Sequence, residues 1–129
     1  MKICIIEDDM MVRNTLSKVL TRCGHMVFTC PNGLDGLQTV EAKKPDLVIT
    51  DIIMPVMEGI EVIRRLRGMS PELKIIAMSG GGRVGNTDFL KVAKSVGADS
   101  VLYKPVTRAE VLEAIETCKE SVKHQQAVR

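Results

Sequence analysis

The stretch KICIIEDD, residues 2–9, decides the fold of this chain. Residues 3–6 form an unbroken apolar run, which is typical of a strand buried on both faces of a parallel sheet. Acidic residues follow the run directly. In an open parallel α/β sheet the carboxyl ends of the strands form one edge, where ligands bind. Glu7 and Asp8 are therefore candidate site residues.

The same pattern, an apolar run followed by a polar residue, recurs three times. Asp51 follows LVIT, residues 47–50; Ser79 follows IIAM, residues 75–78; and Lys104 follows VLY, residues 101–103. Clustered carboxylates repel one another unless a cation joins them, so the pattern predicts a site for a hard divalent metal such as Mg²⁺. A lysine and a hydroxyl beside that metal suit the oxygens of a phosphoryl group.

Strand-like and helix-like segments alternate along the whole chain. The apolar periodicity and the capping residues predict strands at 2–6, 26–29, 46–50, 74–78 and 100–103, and helices at 10–22, about 33–43, 58–66, 88–96 and 108 to about 121. Five βα units with right-handed crossovers predict an α/β fold, a doubly wound five-stranded parallel sheet. The flavodoxin-like order 2-1-3-4-5 makes the first and third strands neighbours, which would bring Glu7 and Asp8 beside Asp51.

Composition limits the classes of protein that this chain could represent. Its 129 residues suffice for one domain, which we expect at 1–122 with a polar tail at 123–129. A net charge of +2 and only three aromatic side chains give no indication of nucleic-acid binding or membrane insertion. The four cysteines show no C-x-x-C spacing, so we expect reduced thiols in a cytoplasmic protein.

The motifs at the strand ends resemble the receiver domains of two-component response regulators, of the single-domain CheY-like kind. The resemblance covers about residues 2–121 and depends on Glu7-Asp8, Asp51 followed by Met54-Pro55 and Gly59, Ser79, and Lys104-Pro105. It implies that Asp51 accepts a phosphoryl group to form an aspartyl phosphate, which is covalent catalysis by a carboxylate.

The resemblance also implies a role for each remaining site residue. Asp8 and Asp51 would bind Mg²⁺ directly, Glu7 through water, and the backbone carbonyl of Ile53 would be a further ligand. Ser79 and Lys104 would bind phosphoryl oxygens and act in the switch. The Lys104-Pro105 bond is expected to be cis, and Gly80, Gly81 and Gly82 to form a loop beside the site.

As a function, the resemblance implies a phosphoacceptor that switches a partner and is not a turnover enzyme. The donor would be a phosphohistidine on a sensor kinase or a phosphotransfer protein, and the face of the fourth helix, fifth strand and fifth helix would control a downstream protein. One alternative is the receiver part of a longer regulator with a DNA-binding or enzymatic output domain. A phosphatase is a second alternative, but such enzymes usually place a second carboxylate where Ile53 stands. The third is a scaffold that is not phosphorylated.

Overall fold

The computed structural model of the chain describes residues 1–52, 59–80 and 87–128. The strands are β1 (Lys2–Ile6), β2 (Met26–Cys30), β3 (Leu47–Asp51), β4 (Lys74–Ser79) and β5 (Ser100–Tyr103). The helices are α1 (Met10–Arg22), α2 (Gly33–Lys43), α3 (Gly59–Met69), α4 (Thr87–Val96) and α5 (Arg108–Val128).

The strands form one parallel sheet in the order β2-β1-β3-β4-β5. This confirms the predicted fold and strand order. Ile6 of β1 is in register with Cys30 of β2 on one side and with Thr50 of β3 on the other. The ends of β1, β2 and β3 therefore lie side by side, and the residues that follow them share one edge.

Two apolar layers enclose the sheet, because successive side chains of a strand point to opposite faces. Cys4 and Ile6 of β1 belong to one layer, whereas Ile3 and Ile5 belong to the other. The first layer packs against α2, α3 and α4, through the buried side chains of Leu37, Val40, Val62, Ile63, Leu66 and Ala93. The second layer packs against α1 and α5, through the buried side chains of Leu16, Leu20, Val111, Ala114 and Ile115.

Side-chain caps fix the starts of two helices where the sequence predicted them. Asp9 Oδ1 accepts hydrogen bonds from the backbone N–H groups of Met11 and Val12, so Asp9 caps α1. Asn32 Oδ1 accepts one from the N–H of Asp35 and caps α2. The carboxylate of Asp9 therefore serves α1, while the backbone N–H of Asp9 donates to Glu7 Oε1 at 3.2 Å.

Several element boundaries differ from the predicted ones. The largest difference is at α5, which continues to Val128 and not only to about residue 121. Residues 109–128 include no glycine or proline, so nothing in the chain ends the helix earlier. The predicted tail is continuous with α5, while the division at residue 122 stays a prediction. Likewise, α3 reaches Met69, and β2 gains Cys30 through its pairing with β1. Among the described residues, no helix combines the length and apolar character needed to cross a bilayer.

Candidate metal and phosphoryl site

The predicted site residues that the structure describes lie along one edge of the sheet. Glu7 follows β1, Asp51 ends β3, Ser79 ends β4 and Lys104 follows β5. All the strands run in the same direction, so these ends are at the carboxyl edge. The strand order changes direction between β1 and β3, and that switch point is where ligands bind in open α/β sheets.

Three carboxylates form the centre of this site. One carboxylate oxygen from each of Glu7, Asp8 and Asp51 lies within 4.8 Å of the other two. Glu7 is fully buried and Asp51 is 5% exposed, whereas Asp8 is exposed to solvent. Carboxylate oxygens are the ligands that hard divalent cations prefer, so this group could hold Mg²⁺.

Lys104 is the cation that neutralises the two buried members of the group. Its Nζ donates hydrogen bonds to Asp51 Oδ2 at 2.7 Å and to Glu7 Oε1 at 2.9 Å. Glu7 Oε2 lies 2.8 Å from the same Nζ, in ionic contact but without hydrogen-bond geometry. The lysine side chain is only 18% exposed, so its charge acts largely within the protein.

Burial shifts the protonation equilibria of this pair. It raises the pKa of Glu7 to about 7, the hydrogen bond from Lys104 opposes that rise, and the nearby charge of Asp51 adds to it. Burial also lowers the pKa of Lys104, but the hydrogen bonds to Asp51 and Glu7 outweigh it, so the net pKa is raised. The pKa of Glu7 stays raised despite the hydrogen bond from Lys104, so one ammonium does not fully stabilise the negative charge of these carboxylates. Such a site favours a bound cation.

Ser79 presents a hydroxyl that lacks a partner within the described part of the chain. The residue is 1% exposed, and its Oγ makes no hydrogen bond there. An unsatisfied buried hydroxyl costs about 1–3 kcal/mol, so such a group usually awaits a ligand or water. A phosphoryl oxygen bound at this edge of the sheet would supply the missing partner.

Backbone contacts hold the acidic residues in place. Arg13 Nη1 donates to the carbonyl oxygen of Glu7 at 2.8 Å and to that of Asp8 at 3.5 Å. The N–H of Glu7 donates to the carbonyl of Cys30 at 3.0 Å. The sequence reasoning missed the role of Arg13; its position on the first turn of α1, a few residues after the acidic pair, is the signal that could have indicated it.

The region around Lys104 fixes the direction of its side chain. The Lys104-Pro105 peptide bond is cis, the form that the resemblance implied. The backbone N–H of Lys104 donates to the carbonyl of Ser79 at 2.8 Å, which ties the ends of β4 and β5 together. Gly80 lies next to the lysine, since a Cβ there would be 3.7 Å from Lys104 Cδ. Ile53, Gly81 and Gly82, which were also predicted to belong to the site, lie outside the described residues.

Fold and site together define a CheY-like α/β protein with an acidic group able to hold a metal at its switch point. Residues 3–116 match the family model described as the response regulator receiver domain, so the chain belongs to the receiver domain family of two-component response regulators. Members of this family are phosphoacceptor switches that interact with sensor kinases and downstream targets, and they bind Mg²⁺ at an acidic pocket.

Individual relatives agree with the family match. The chain is 31% identical to sporulation initiation phosphotransferase F of Bacillus subtilis over 115 residues, covering 89% of this chain and 90% of that protein. It is 39% identical to the transcriptional regulatory protein AfsQ1 of Streptomyces coelicolor, covering 85% of this chain but 47% of that protein. Among solved structures, a CheY-like receiver domain protein from Methanospirillum hungatei matches with a TM-score of 0.87 and 27% identity, over 95% of this chain and 97% of that one.

Proposed function

We propose that this receiver accepts a phosphoryl group on Asp51 from a phosphohistidine of a sensor kinase or a phosphotransfer protein. One observation carries the proposal. The carboxylates of Glu7, Asp8 and Asp51 converge within 4.8 Å at the switch point, with Lys104 Nζ 2.7 Å from Asp51 Oδ2. Phosphoryl transfer depends mainly on positioning and on neutralising charge, and these groups provide both.

The chemical step is a displacement at phosphorus. A carboxylate oxygen of Asp51 attacks the phosphorus atom, and the bond from phosphorus to the histidine nitrogen breaks. The nitrogen leaves with the bonding electron pair, and an aspartyl phosphate results. Because Asp51 is buried except for a small exposed fraction, only a donor that fits this edge of the sheet can approach it.

The remaining residues bind the group that arrives. Lys104 would turn its ammonium from the carboxylates toward a phosphoryl oxygen, and the Ser79 hydroxyl, which makes no hydrogen bond within the described residues, would donate to another. Glu7, Asp8 and Asp51 would hold Mg²⁺, together with the backbone carbonyl of Ile53 that the family resemblance implies. The metal, when bound, supplies positive charge next to the phosphoryl oxygens.

The switch would pass from the site into the sheet. Ser79 and Lys104 are joined by a backbone hydrogen bond of 2.8 Å, so a movement of both side chains toward a phosphoryl group strains the ends of β4 and β5 together. Two helices follow these strand ends in the chain, since α4 comes after β4 and α5 comes after β5; together with β5 they form one face. We propose that this face binds or releases a partner protein when the two-state equilibrium shifts.

Phosphorylation is tested by intact mass after incubation with acetyl phosphate and Mg²⁺. Wild type should gain one phosphoryl group, and Asp51→Asn should gain none. Asp9→Asn is the matched control, because Asp9 is a neighbouring acid whose side chain caps α1 and is not one of the three clustered carboxylates. Equal labelling of Asp51→Asn and wild type would refute the assignment.

A second arrangement is favoured by the lengths of some relatives. The chain spans about half of AfsQ1 and of other regulators that it matches. In that arrangement the same receiver would control an attached output domain. The length of the coding region decides between an attached and a separate target.

A further inference from the structure

Two thiols lie close together where β1 pairs with β2, whereas Asp51 lies on β3, the strand on the other side of β1. Cys4 Sγ and Cys30 Sγ are 3.9 Å apart and buried, and all four cysteines of the chain are free. Cys30 Sγ also donates to the hydroxyl oxygen of Thr39 at 3.3 Å. The sulfur of Cys30 therefore touches two groups that can each donate a hydrogen bond to it if it loses its proton.

The contact with Thr39 belongs to Cys30 alone and favours a thiolate there over one at Cys4. The Sγ–Sγ contact with Cys4 and the contact with Thr39 lower the pKa of the Cys30 thiol, whereas burial and the negative charge of Asp35 raise it. The pKa of Cys4 is raised in turn, first by the same Sγ–Sγ contact and then by burial. A thiolate that accepts hydrogen bonds is the reactive form of cysteine.

Cys30 differs from Cys4 in a second respect, since it reaches a surface cavity. Cys4 is fully buried, whereas Cys30 is 3% exposed and lines a cavity of about 410 Å³ between the end of β2 and α2. Its lining combines polar, charged and apolar side chains: Thr29, Gln38 and Thr39, Asp35 and Lys43, and Pro31 and Ala42. A peroxide molecule is small enough to enter this cavity.

We infer that Cys30 is a modification site at which a peroxide oxidises the sulfur to a sulfenic acid. The thiolate sulfur attacks one peroxide oxygen, an S–O bond forms and the O–O bond breaks. Sulfur is oxidised and the peroxide is reduced; hydroxide leaves and is neutralised by the proton that the thiol released to solvent when it ionised. The cavity, the Cys4 thiol and the Thr39 hydroxyl are the three features that single out this cysteine.

The register between β1 and β2 determines whether oxidation of Cys30 ends as a sulfenic acid or as a disulfide with Cys4. Cys30 lies opposite Ile6, and Cys4 lies two positions earlier on β1, opposite Phe28. From the usual strand spacing and rise, the Cα atoms of Cys4 and Cys30 are about 8 Å apart on this diagonal. A disulfide needs Cα atoms within about 7 Å, so the sulfenic acid is expected to persist.

A backbone hydrogen bond connects Cys30 to Glu7 of the acidic site, so oxidation of Cys30 can affect that site. The carbonyl of Cys30 accepts the hydrogen bond from the N–H of Glu7 at 3.0 Å. An added oxygen in this packed layer displaces the end of β2 and, with it, Glu7. We therefore expect oxidation to weaken Mg²⁺ binding; this consequence rests on the proposed function, whereas the modification itself does not.

The experiment treats the whole protein with hydrogen peroxide in the presence of dimedone, which traps sulfenic acids, and locates the adduct by peptide mass spectrometry. The expected result is an adduct on Cys30 that forms before any on the exposed Cys23. Thr39→Val should slow its formation about threefold to tenfold, because the thiolate loses one hydrogen bond. Thr21→Val, at an exposed threonine of α1, is the matched control and should leave the rate unchanged.

Two results would overturn the inference: an adduct on Cys23 with Cys30 intact, or a Cys4–Cys30 disulfide in place of the sulfenic acid. Calorimetric Mg²⁺ titration of reduced and oxidised wild type and of Cys30→Ser then tests the coupling. A loss of affinity in oxidised wild type alone is expected, and equal affinities would refute the coupling. If reduced wild type bound no Mg²⁺, the proposed function would fail while the peptide result stood.

Discussion

Replacing Gly59 with alanine tests how closely the start of α3 must approach the end of β3. A Cβ at this position would lie 2.1 Å from the carbonyl oxygen of Asp51 and 2.3 Å from Ile52 Cα. Both are backbone atoms, so neither can rotate away. Ordinary contact begins at 3.4 Å, and α3 would therefore have to retreat by about 1.3 Å from Asp51.

The cost follows from that overlap. Forcing one extra carbon into a packed position typically costs about 1–3 kcal/mol. Gly68→Ala is a matched control on the same helix, because nothing lies within 4 Å of its added Cβ. Alanine stabilises a helix interior by roughly 0.5–1 kcal/mol relative to glycine, so the two variants should differ by about 1.5–4 kcal/mol.

Urea unfolding followed by circular dichroism measures both variants against wild type. The midpoint should fall for Gly59→Ala and rise for Gly68→Ala, with the slope of the transition unchanged. The displaced carbonyl belongs to the proposed phosphoacceptor, so Gly59→Ala should also take up less phosphoryl group from acetyl phosphate. If Gly59→Ala were as stable as Gly68→Ala, the close approach of α3 to β3 would be wrong.

Further predictions concern Arg67, the α2 cap Asn32 and the site residue Lys104. Arg67→Ala should lower the free energy of unfolding by about 2–3 kcal/mol, because its guanidinium binds the backbone carbonyls of Pro71 and Leu73 just before β4 and that of Gly97 in the turn before β5; Arg64→Ala, which breaks only an exposed ion pair, should cost under about 1 kcal/mol. Asn32→Ala should cost about 1 kcal/mol through loss of the α2 cap. Lys104→Met should cost about 3 kcal/mol without metal, and Mg²⁺ should restore part of that loss because it replaces the missing cation. Thermal or urea unfolding checks all three.

Each of these predictions has an outcome that would contradict it. Equal losses for Arg67→Ala and Arg64→Ala would show that the Arg67 hydrogen bonds to backbone carbonyls contribute no more to the free energy of unfolding than an exposed ion pair does. An unchanged stability of Asn32→Ala would remove the cap from the account of α2. A Lys104→Met protein whose stability ignored Mg²⁺ would show that the carboxylates do not hold the metal.

The sheet and its edge were predictable because they depend on local patterns. Buried parallel strands read as short apolar runs, and a polar residue directly after such a run must reach the carboxyl edge. That reasoning placed Glu7, Asp51, Ser79 and Lys104 together without any knowledge of distances. The helix caps Asp9 and Asn32 were equally local, since a capping side chain bonds to residues two or three positions ahead.

What the sequence did not reveal depends on contacts between distant segments. Arg67 binds the carbonyl of Gly97 and the carboxylate of Asp99, about thirty positions further along the chain. Cys4 and Cys30 are separated by 26 positions and meet only because β1 and β2 pair. No spacing rule connects such residues, so their roles appear only once the register is fixed.

The most direct test of the account is to locate the phosphoryl group on a single residue. Borohydride cleaves an aspartyl phosphate reductively and leaves homoserine at the modified position, which peptide mass spectrometry identifies. After treatment with acetyl phosphate and Mg²⁺, we predict homoserine at position 51 in wild type and in Asp9→Asn, and none when Mg²⁺ is withheld. Homoserine at position 8, or labelling that ignores Mg²⁺, would contradict the assignment of Asp51 as the acceptor in a metal-dependent site.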